Sequence, residues 1–257
     1  MKDVQNTHDN RNVDIQKVGI KHIELPLIIQ RKNKSDKVVY AKARICVSLP
    51  RDYKGTHMSR FVEVLNEWRT KNLLGIDIKG CIKKIIKKLN AQSGELEFDF
   101  KYFIDKKSPI TQLTAPMCYD CSFEGRIDSD GYKFILGVKV PVTTLCPCSK
   151  EISDYGAHNQ RALVSVKISY DETEHIWLED LIEVIESCAS CPVYPLLKRP
   201  DEKFVTEKAW NNPRFVEDVL REVVIKLRSN PVINSFEVDC EAFESIHNHS
   251  AWAYQSE

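Results

Sequence analysis

Hydrophobic and polar residues alternate along two runs near the start of the chain, Val18 to Gln30 and Val38 to Leu49. In the second run, Val39, Ile45 and Val47 belong to a series of apolar or small residues at every other position. A period of two is typical of β-strands, because successive side chains point to opposite faces. The pattern therefore predicts two strands at the beginning of the fold.

The spacing then changes to the three and four residues that place side chains on one face of a helix. Two such apolar faces follow one another: Phe61, Val64, Leu65 and Trp68, then Ile78, Ile82, Ile85, Ile86 and Leu89. Alternation returns from Leu96 to Ile104 and, more briefly, from Ser122 to Ile127, before the turn-forming cluster Ser129-Asp130-Gly131.

The second half of the chain repeats this order of elements. Strands are predicted over Tyr132–Leu145 and Ala162–Tyr170, and a helix is predicted over Trp177–Cys188. A further helix is expected to begin at Asn212-Pro213, where asparagine can cap and proline can occupy the first turn without losing a hydrogen bond. The closing strands are predicted over Val232–Glu241 and His249–Tyr254.

The complete pattern is strand-strand-helix-helix-strand-strand, twice. Runs of strands separated by paired helices favour an α+β fold with antiparallel sheets and helices packed on one face, and not a doubly wound parallel sheet. We expect an N-terminal lead-in over residues 1–16, a first module over 17–130 and a second over 131–257. The second module carries most of the candidate chemistry.

Composition narrows the classes of partner. The chain has 37 acidic and 37 basic side chains and no formal net charge, which argues against nucleic-acid and membrane-surface binding. No stretch approaches 18 consecutive apolar residues, so no membrane span is expected. The first residues lack the apolar segment of a signal peptide, and the nine cysteines then favour reduced thiols in the cytoplasm.

The stretch TTLCPCSKEISDYGAHNQR contains Cys146, Cys148 and, twelve residues after the first thiol, His158. On an extended segment the two cysteines would have Cα atoms about 6.5 to 7 Å apart, at the edge of disulfide geometry. A one-residue gap is also awkward for two ligands of one zinc ion. One thiolate on a metal beside a free thiol, with His158 as second ligand, suits the spacing better. The alternative is two buried thiols and a surface histidine.

Two CxxC pairs compete as a metal site, Cys118/Cys121 and Cys188/Cys191. Together they resemble a four-cysteine zinc site, but 67 residues separate the pairs and Cys188 falls on the apolar face of a predicted helix. Small core residues are the alternative interpretation.

Charged side chains crowd a segment predicted to be a loop, between Leu196 and the last helix. Lys198, Arg199 and Lys203 surround Asp201 and Glu202. In a functional interpretation a carboxylate binds a metal and the cations bind phosphates; in the alternative, the run is a solvated surface.

The remaining candidates lie near the two ends of the chain. If the C-terminal segment is a strand, His247 and His249 face the same way near Glu244, as a metal-binding or proton-transfer pair would. Near the N-terminus, Ser59 is a candidate helix cap with Arg60 beside it, and such a helix end can bind an anion.

Four of these stretches, in order, carry a resemblance to one family: KGTHMSRF, TTLCPCSKEISDYGAHNQR, LLKRPDEKFVTEKAWNNPRFVEDV and ESIHNHSAWA. They resemble the motifs of type IB GTP cyclohydrolase I, over a match from about Lys17 to the C-terminus. The resemblance implies the tunnelling fold, a homotetramer with active sites at subunit interfaces, and one divalent metal ion per site: zinc, manganese or iron. The implied reaction converts GTP and water to 7,8-dihydroneopterin triphosphate and formate, the entry to folate and pterin synthesis.

The resemblance also implies residue roles. Cys146, His158 and Glu202 match metal ligands, with Glu244 an alternative or additional ligand. The other implied roles are an active-site thiol at Cys148, a guanine anchor at Glu217, a catalytic pair at His247 and His249, and triphosphate contacts at Lys198, Arg199, Lys203, Ser59 and Arg60. Rival interpretations are another tunnelling-fold enzyme, the nitrile reductase of queuosine synthesis, and a binding module stabilised by zinc at the CxxC pairs.

Overall fold

The computed structural model describes residues 4–5, 7–32, 34–69, 71–73 and 75–257. These residues form two compact units, each made of several chain segments. The first unit contains Met1–Lys101, Ser122–Leu136 and Asp171–Thr173, and the second contains Tyr102–Cys121, Gly137–Tyr170 and Glu174–Glu257. Division at residue 130 into two modules stays a prediction. Part of the predicted lead-in, residues 1–3 and 6, lies outside the described residues.

The first unit is built on long antiparallel strands. Its elements are β1 (Ile15–Arg31), β2 (Lys34–Leu49), α1 (Met58–Trp68), β3 (Asn72–Leu73), α2 (Gly75–Leu89) and parts of β4 (Gly94–Lys107), β5 (Thr114–Asp128) and β6 (Gly131–Leu145). Hydrogen bonds order its strands β3-β1-β2-β4-β5-β6. The alternating residues Val39, Ile45 and Val47 are buried, as their period of two predicted. Helix α1 buries Phe61, Val64 and Leu65.

The second unit contains the remaining parts of β4, β5 and β6 and most of the helices. Its other elements are α3 (Pro147–Ile152), β7 (Asn159–Tyr170), α4 (Leu178–Ser187), β8 (Cys191–Pro192), α5 (Arg199–Asn211), α6 (Val216–Arg228), β9 (Ile233–Ala242) and β10 (Ala251–Ser256). The strand order is β10-β9-β7-β6-β5-β4, with β8 paired to β6. Helix α6 packs on β9 and β10. The predicted α+β class with antiparallel pairing is confirmed.

Two helices of the second unit were missed, and both lie in the candidate site. Helix α5 spans the charged run predicted to be a loop, because its polar sequence has only a weak apolar stripe. Helix α3 is a single short turn that begins at Pro147.

Three predicted boundaries were wrong. The last helix begins at Val216, and Asn212 instead ends α5, where its side-chain amide donates to the Ala189 carbonyl at 2.9 Å. Strand β10 begins at Ala251, so His249 lies in the preceding loop. Helix α1 begins at Met58 with His57 at its N-cap, so Ser59 is a helical residue and not the cap.

Candidate active site

Cys146 and His158 are held together by the polypeptide backbone. The Cys146 amide donates to the His158 carbonyl at 3.1 Å. The Ser149 hydroxyl bridges the same two residues, since it donates to the Cys146 carbonyl and accepts from the His158 amide, both at 3.2 Å. These contacts place the two residues side by side, and their role as metal ligands stays a prediction.

The CPC segment is not extended, contrary to the geometry assumed from its spacing. Cys146 is the N-cap of α3, and its sulfur accepts a hydrogen bond from the Ser149 amide at 3.4 Å. Pro147 fits the first helical position because its missing N–H is not needed there. Cys146 is half-buried and Cys148 is exposed, so the two thiols have different environments.

The His158 ring is oriented by a chain of side chains on neighbouring strands. Its Nδ1 lies 3.0 Å from Gln160 Oε1, and the Gln160 amide donates to the Thr144 hydroxyl at 3.1 Å. Glu244 approaches the same ring, with Oε2 3.7 Å from Nδ1. The His158 and Glu244 side chains are only 16% and 14% exposed.

Glu244 has an unsatisfied buried oxygen. Its Oε2 accepts no hydrogen bond from any residue that the structure describes. A buried carboxylate oxygen without a donor is costly, so this atom calls for a ligand that the protein chain does not provide. The fold thus brings Glu244 beside the His158 ring although the two residues are far apart in the sequence.

Glu202 lies on the first turn of α5 and is exposed, whereas its neighbour Asp201 is fully buried. Asp201 accepts four hydrogen bonds, from the amides of Ile110, Thr111 and Lys198 and from the Thr111 hydroxyl, at 2.6 to 2.9 Å. Burial alone would raise the pKa of Asp201, but these hydrogen bonds outweigh it and hold the pKa well below its usual range. This structural carboxylate was not recognised from the sequence.

A cleft of about 600 Å³ lies between α5 and the loop that leads to His158. Its walls include Tyr155, Ala157, Val193, Tyr194, Thr206 and Trp210. Glu202 precedes Thr206 by one helical turn, so the two residues share a face of α5. The volume is in the range of small-molecule sites.

The predicted phosphate-binding cations fall into two groups. Lys198, Arg199 and Lys203 are exposed at the start of α5, in the second unit, and Lys203 lies 3.8 Å from Glu207. Arg60 belongs to the first unit, where its guanidinium donates to the Lys88 carbonyl at 3.0 Å and so joins α1 to the end of α2.

The three other candidates are exposed in the second unit. His247 and His249 lie in the loop between β9 and β10, with their rings stacked 5.0 Å apart at 12°. They are thus a pair, but through ring stacking in a loop and not through the strand that was predicted. Glu217 is exposed on the first turn of α6.

A thiolate, an imidazole and a carboxylate form a donor set that suits zinc, iron or manganese. His158, the buried Glu244 oxygen beside it and Cys146 offer donors of these three types. In the described part of the chain, however, no three His, Cys, Asp or Glu side chains converge as closely as a preformed metal site requires.

Three of the four CxxC cysteines are core residues, and Cys118 is partly exposed. Cys121, Cys188 and Cys191 are buried, and burial raises the pKa of each thiol. The two pairs do not come together in a group of three or more possible metal ligands among the described residues, so core packing is the interpretation that the structure favours.

Comparison with known proteins decides the family. A family model described as Type I GTP cyclohydrolase folE2 matches residues 1–253. The chain belongs to this family. The resemblance to GTP cyclohydrolase I is thereby confirmed, and GTP is the substrate that the family name implies.

Relatives cover nearly the whole chain. A protein named GTP cyclohydrolase FolE2 from Geotalea uraniireducens is 51% identical over 98% of this chain and 92% of its own length. A protein of the same name from Thermosipho africanus is 48% identical over 98% of this chain and 96% of its own length.

Solved structures show the fold. A uricase from Arthrobacter globiformis matches with a TM-score of 0.58 at 7% identity, over 94% of this chain and 92% of that one. A uricase from Bacillus fastidious matches with a TM-score of 0.57 at 9% identity, over 95% and 92%. The tunnelling fold expected from the motifs is confirmed. No helix of the described residues is long and apolar enough to cross a membrane.

Proposed function

We propose that the chain is a type IB GTP cyclohydrolase I, which converts GTP and water to 7,8-dihydroneopterin triphosphate and formate. The observation that carries this proposal is the family match over residues 1–253. The cleft beside the Cys146–His158 loop provides a place for a ligand of suitable size.

The proposed metal ligands are Cys146, His158 and a carboxylate, with one divalent ion, zinc, manganese or iron, in each site. Glu244 is supported by its unsatisfied buried oxygen 3.7 Å from His158, and Glu202 by its place on the cleft side of α5. When bound, such an ion supplies Lewis acidity that makes water nucleophilic near neutral pH.

Proton transfer is the work proposed for His247 and His249. Water must add at C8 of guanine and the C8–N bonds must break, so protons have to reach the ring nitrogens. Imidazole side chains commonly act as general acids and bases, so these residues suit this task. Cys148 is exposed next to the ligand Cys146, where its thiol can contact the substrate.

Glu217 is proposed to select guanine. Guanine presents N1–H and a 2-amino group side by side, and one carboxylate can accept hydrogen bonds from both. Adenine lacks this pair of donors. Lys198, Arg199 and Lys203 are proposed to bind the triphosphate, with Ser59 and Arg60 as further candidates.

Assembly into a homotetramer with active sites at subunit interfaces is part of the proposal. Among the described strands, β10 pairs only with β9, and it exposes Trp252 and Tyr254, whose rings stack 6.2 Å apart. An edge strand with exposed aromatic residues is suited to contact with another chain. A cytoplasmic location, without nucleic-acid or membrane partners, is proposed from the cysteine content and the balanced charge.

Incubation with GTP tests the reaction. Protein stripped of metal and reloaded separately with zinc, manganese or iron should release formate and give a fluorescent pterin after oxidation. Cys146→Ala and His158→Ala should lose turnover and bound metal, whereas Cys118→Ala should keep both. Full metal occupancy in Cys146→Ala would refute that ligand. Zinc lost with Cys118→Ala would favour the zinc-stabilised module. NADPH-dependent nitrile reduction without GTP turnover would favour the reductase.

A further inference from the structure

A buried polar cluster lies in the second unit, away from the proposed metal ligands. Lys106 on β4 donates to Glu186 Oε1 on α4 at 2.6 Å, and the Tyr119 hydroxyl on β5 donates to the same oxygen at 2.9 Å. The Lys106 and Glu186 side chains are 13% and 12% exposed. None of these residues belongs to the motifs that carried the family resemblance.

Lys106, Glu186 and the Tyr119 hydroxyl are polar groups that would ordinarily be solvated, and here they are largely buried. Burial lowers the pKa of Lys106, although the nearby Glu186 acts in the other direction. Burial also raises the pKa of Tyr119, with a further contribution from Glu186, so its hydroxyl remains a donor. A buried ion pair generally stabilises a fold no better than apolar side chains of similar volume. Stability alone therefore gives little reason for a lysine at this position.

Lys106 has a second acceptor, and it lies in the wall of the cleft. The ammonium group donates to the Val193 carbonyl at 2.7 Å and lies 4.6 Å from the centre of the Tyr194 ring. Val193 and Tyr194 both line the cleft. The lysine thus binds the backbone of one wall residue and the ring of the next.

The same wall is connected to β6, which ends at Leu145, one residue before Cys146. Thr143 pairs with Cys191 in the contact between β6 and β8. The buried Ser190 hydroxyl accepts a hydrogen bond from the Leu145 amide at 3.1 Å. A displacement of residues 190–194 would therefore affect both the cleft and the backbone next to the proposed metal ligand.

We propose that Lys106 is a positioning residue for the GTP cyclohydrolase reaction, held in place by Glu186 and Tyr119. It keeps the Val193–Tyr194 wall in the position that the bound substrate requires. This inference rests on the proposed function, since it assumes that GTP occupies the cleft. Displacement of a positioning wall by about 1 Å can reduce a rate by about 100-fold, which sets the scale of the expected effect.

The test replaces the whole ion pair, so that no charge stays buried without a partner. The double variant Lys106→Met/Glu186→Met should fold with a modestly lower thermal midpoint, because the Tyr119 hydroxyl loses its acceptor. Its kcat/KM for GTP should fall by about 10- to 100-fold, mostly through kcat, with bound metal unchanged. Lys106→Arg keeps the charge and should recover part of the loss.

A matched ion pair in the first unit is the control. Lys79 donates to Glu172 at 2.7 Å and lies 5.4 Å from the Tyr132 ring centre, but none of these residues lines the cleft. Lys79→Met/Glu172→Met should leave kcat/KM within about twofold of wild type, as expected for a pair on the surface.

Three results would overturn the positioning role. One is a folded Lys106→Met/Glu186→Met variant with wild-type kcat/KM, and another is an equal loss in the Lys79 control. If the double variant does not fold, Lys106→Arg decides: a several-fold fall in kcat at an unchanged thermal midpoint supports the role, and unchanged kinetics overturns it. Wild-type protein that binds and turns over no GTP with any metal would overturn the proposed function as well.

Discussion

Two carboxylates in the second unit, Asp201 and Glu244, are both withdrawn from water but differ in their partners. Asp201 accepts four hydrogen bonds and joins the start of α5 to the segment at Ile110 and Thr111. Glu244 leaves one buried oxygen with no donor among the described residues. Burial alone therefore does not identify a functional carboxylate. A carboxylate whose oxygens all accept hydrogen bonds from the protein has a structural role, whereas a buried oxygen without a donor can bind a ligand.

Glu217 is a third kind of carboxylate: it is exposed, and its proposed hydrogen-bond donors belong to the substrate. Two charge-assisted hydrogen bonds to guanine are worth about 1.5 to 3 kcal/mol each. Glu217→Ala should therefore lower kcat/KM for GTP by about two to four orders of magnitude, with metal content and thermal midpoint unchanged.

Glu217→Gln gives the sharper measurement, because it keeps the shape but places an amide donor near the donors of guanine. It should also be severely impaired. Near-normal turnover in this variant would mean that Glu217 is an ordinary surface glutamate, since such a site tolerates glutamine within about 0.5 kcal/mol.

Glu244→Gln tests whether the carboxylate with the unsatisfied oxygen binds the metal ion. Removal of a group that only orients a metal ligand costs about 10- to 100-fold in affinity or activity, so loss of a ligand should cost at least about 100-fold. Metal content by mass spectrometry should fall, while the apo-protein should be no less stable than wild-type apo-protein. Glu202→Gln, measured in parallel, identifies which carboxylate binds the ion. Full metal content in both variants would remove both from the ligand set.

Asp201→Asn should have the opposite profile, with loss of stability and little loss of metal. The amide cannot accept from all four donors, so the thermal midpoint should fall by several degrees, while the protein that remains folded keeps its metal. A variant that loses metal at an unchanged midpoint would instead place Asp201 among the functional carboxylates.

The pH dependence of this variant follows from the lowered pKa of Asp201. A carboxylate with a depressed pKa in the folded state stabilises the fold above its unfolded pKa of about 4. The contribution is lost as pH falls below that value toward the folded pKa. The difference in midpoint between wild type and Asp201→Asn should therefore be full above about pH 5 and shrink below about pH 4.

The smallest expected effect concerns the buried cysteines. Cys121→Ala and Cys188→Ala remove one sulfur each from the core and should lower stability by about 1 kcal/mol without changing metal content or kcat/KM. Chemical denaturation and metal analysis measure the two quantities. Loss of one zinc per chain in either variant would restore the structural zinc hypothesis.

Elements with strong periodicity could be predicted, because a helix buries an apolar residue every three or four positions and a strand every two. Helix α6 buries Val216, Val223 and Leu227, three positions whose helical spacing was visible in the sequence; Leu220, predicted on the same stripe, is only partly buried. Helix α5 has no comparable stripe. Its beginning is held instead by Asp201, which accepts hydrogen bonds from residues about 90 positions earlier in the chain. Such a contact leaves no local pattern.

The candidate site was predictable to a similar degree. The spacing of Cys146 and His158 predicted two ligands of one metal ion. The fold joins the two residues by a backbone hydrogen bond, and their role as ligands stays a prediction. The choice between Glu202 and Glu244 was left open, because which carboxylate retains an unsatisfied buried oxygen depends on the neighbours that the fold supplies. His247 and His249 were predicted to face the same way because they were placed on a strand. They lie in a loop instead, and it is the stacking of their rings that brings them together.

The α+β class, most element positions, the family and the types of side chain available for chemistry follow from the sequence alone. They depend on short-range periodicity and on motifs, whose information is local. The four hydrogen bonds to Asp201, the Glu244 oxygen that has no donor and the contact of Lys106 with the cleft wall become evident only in the folded chain. Hydrogen-bond satisfaction depends on donors from distant segments that meet only when the strands and helices pack.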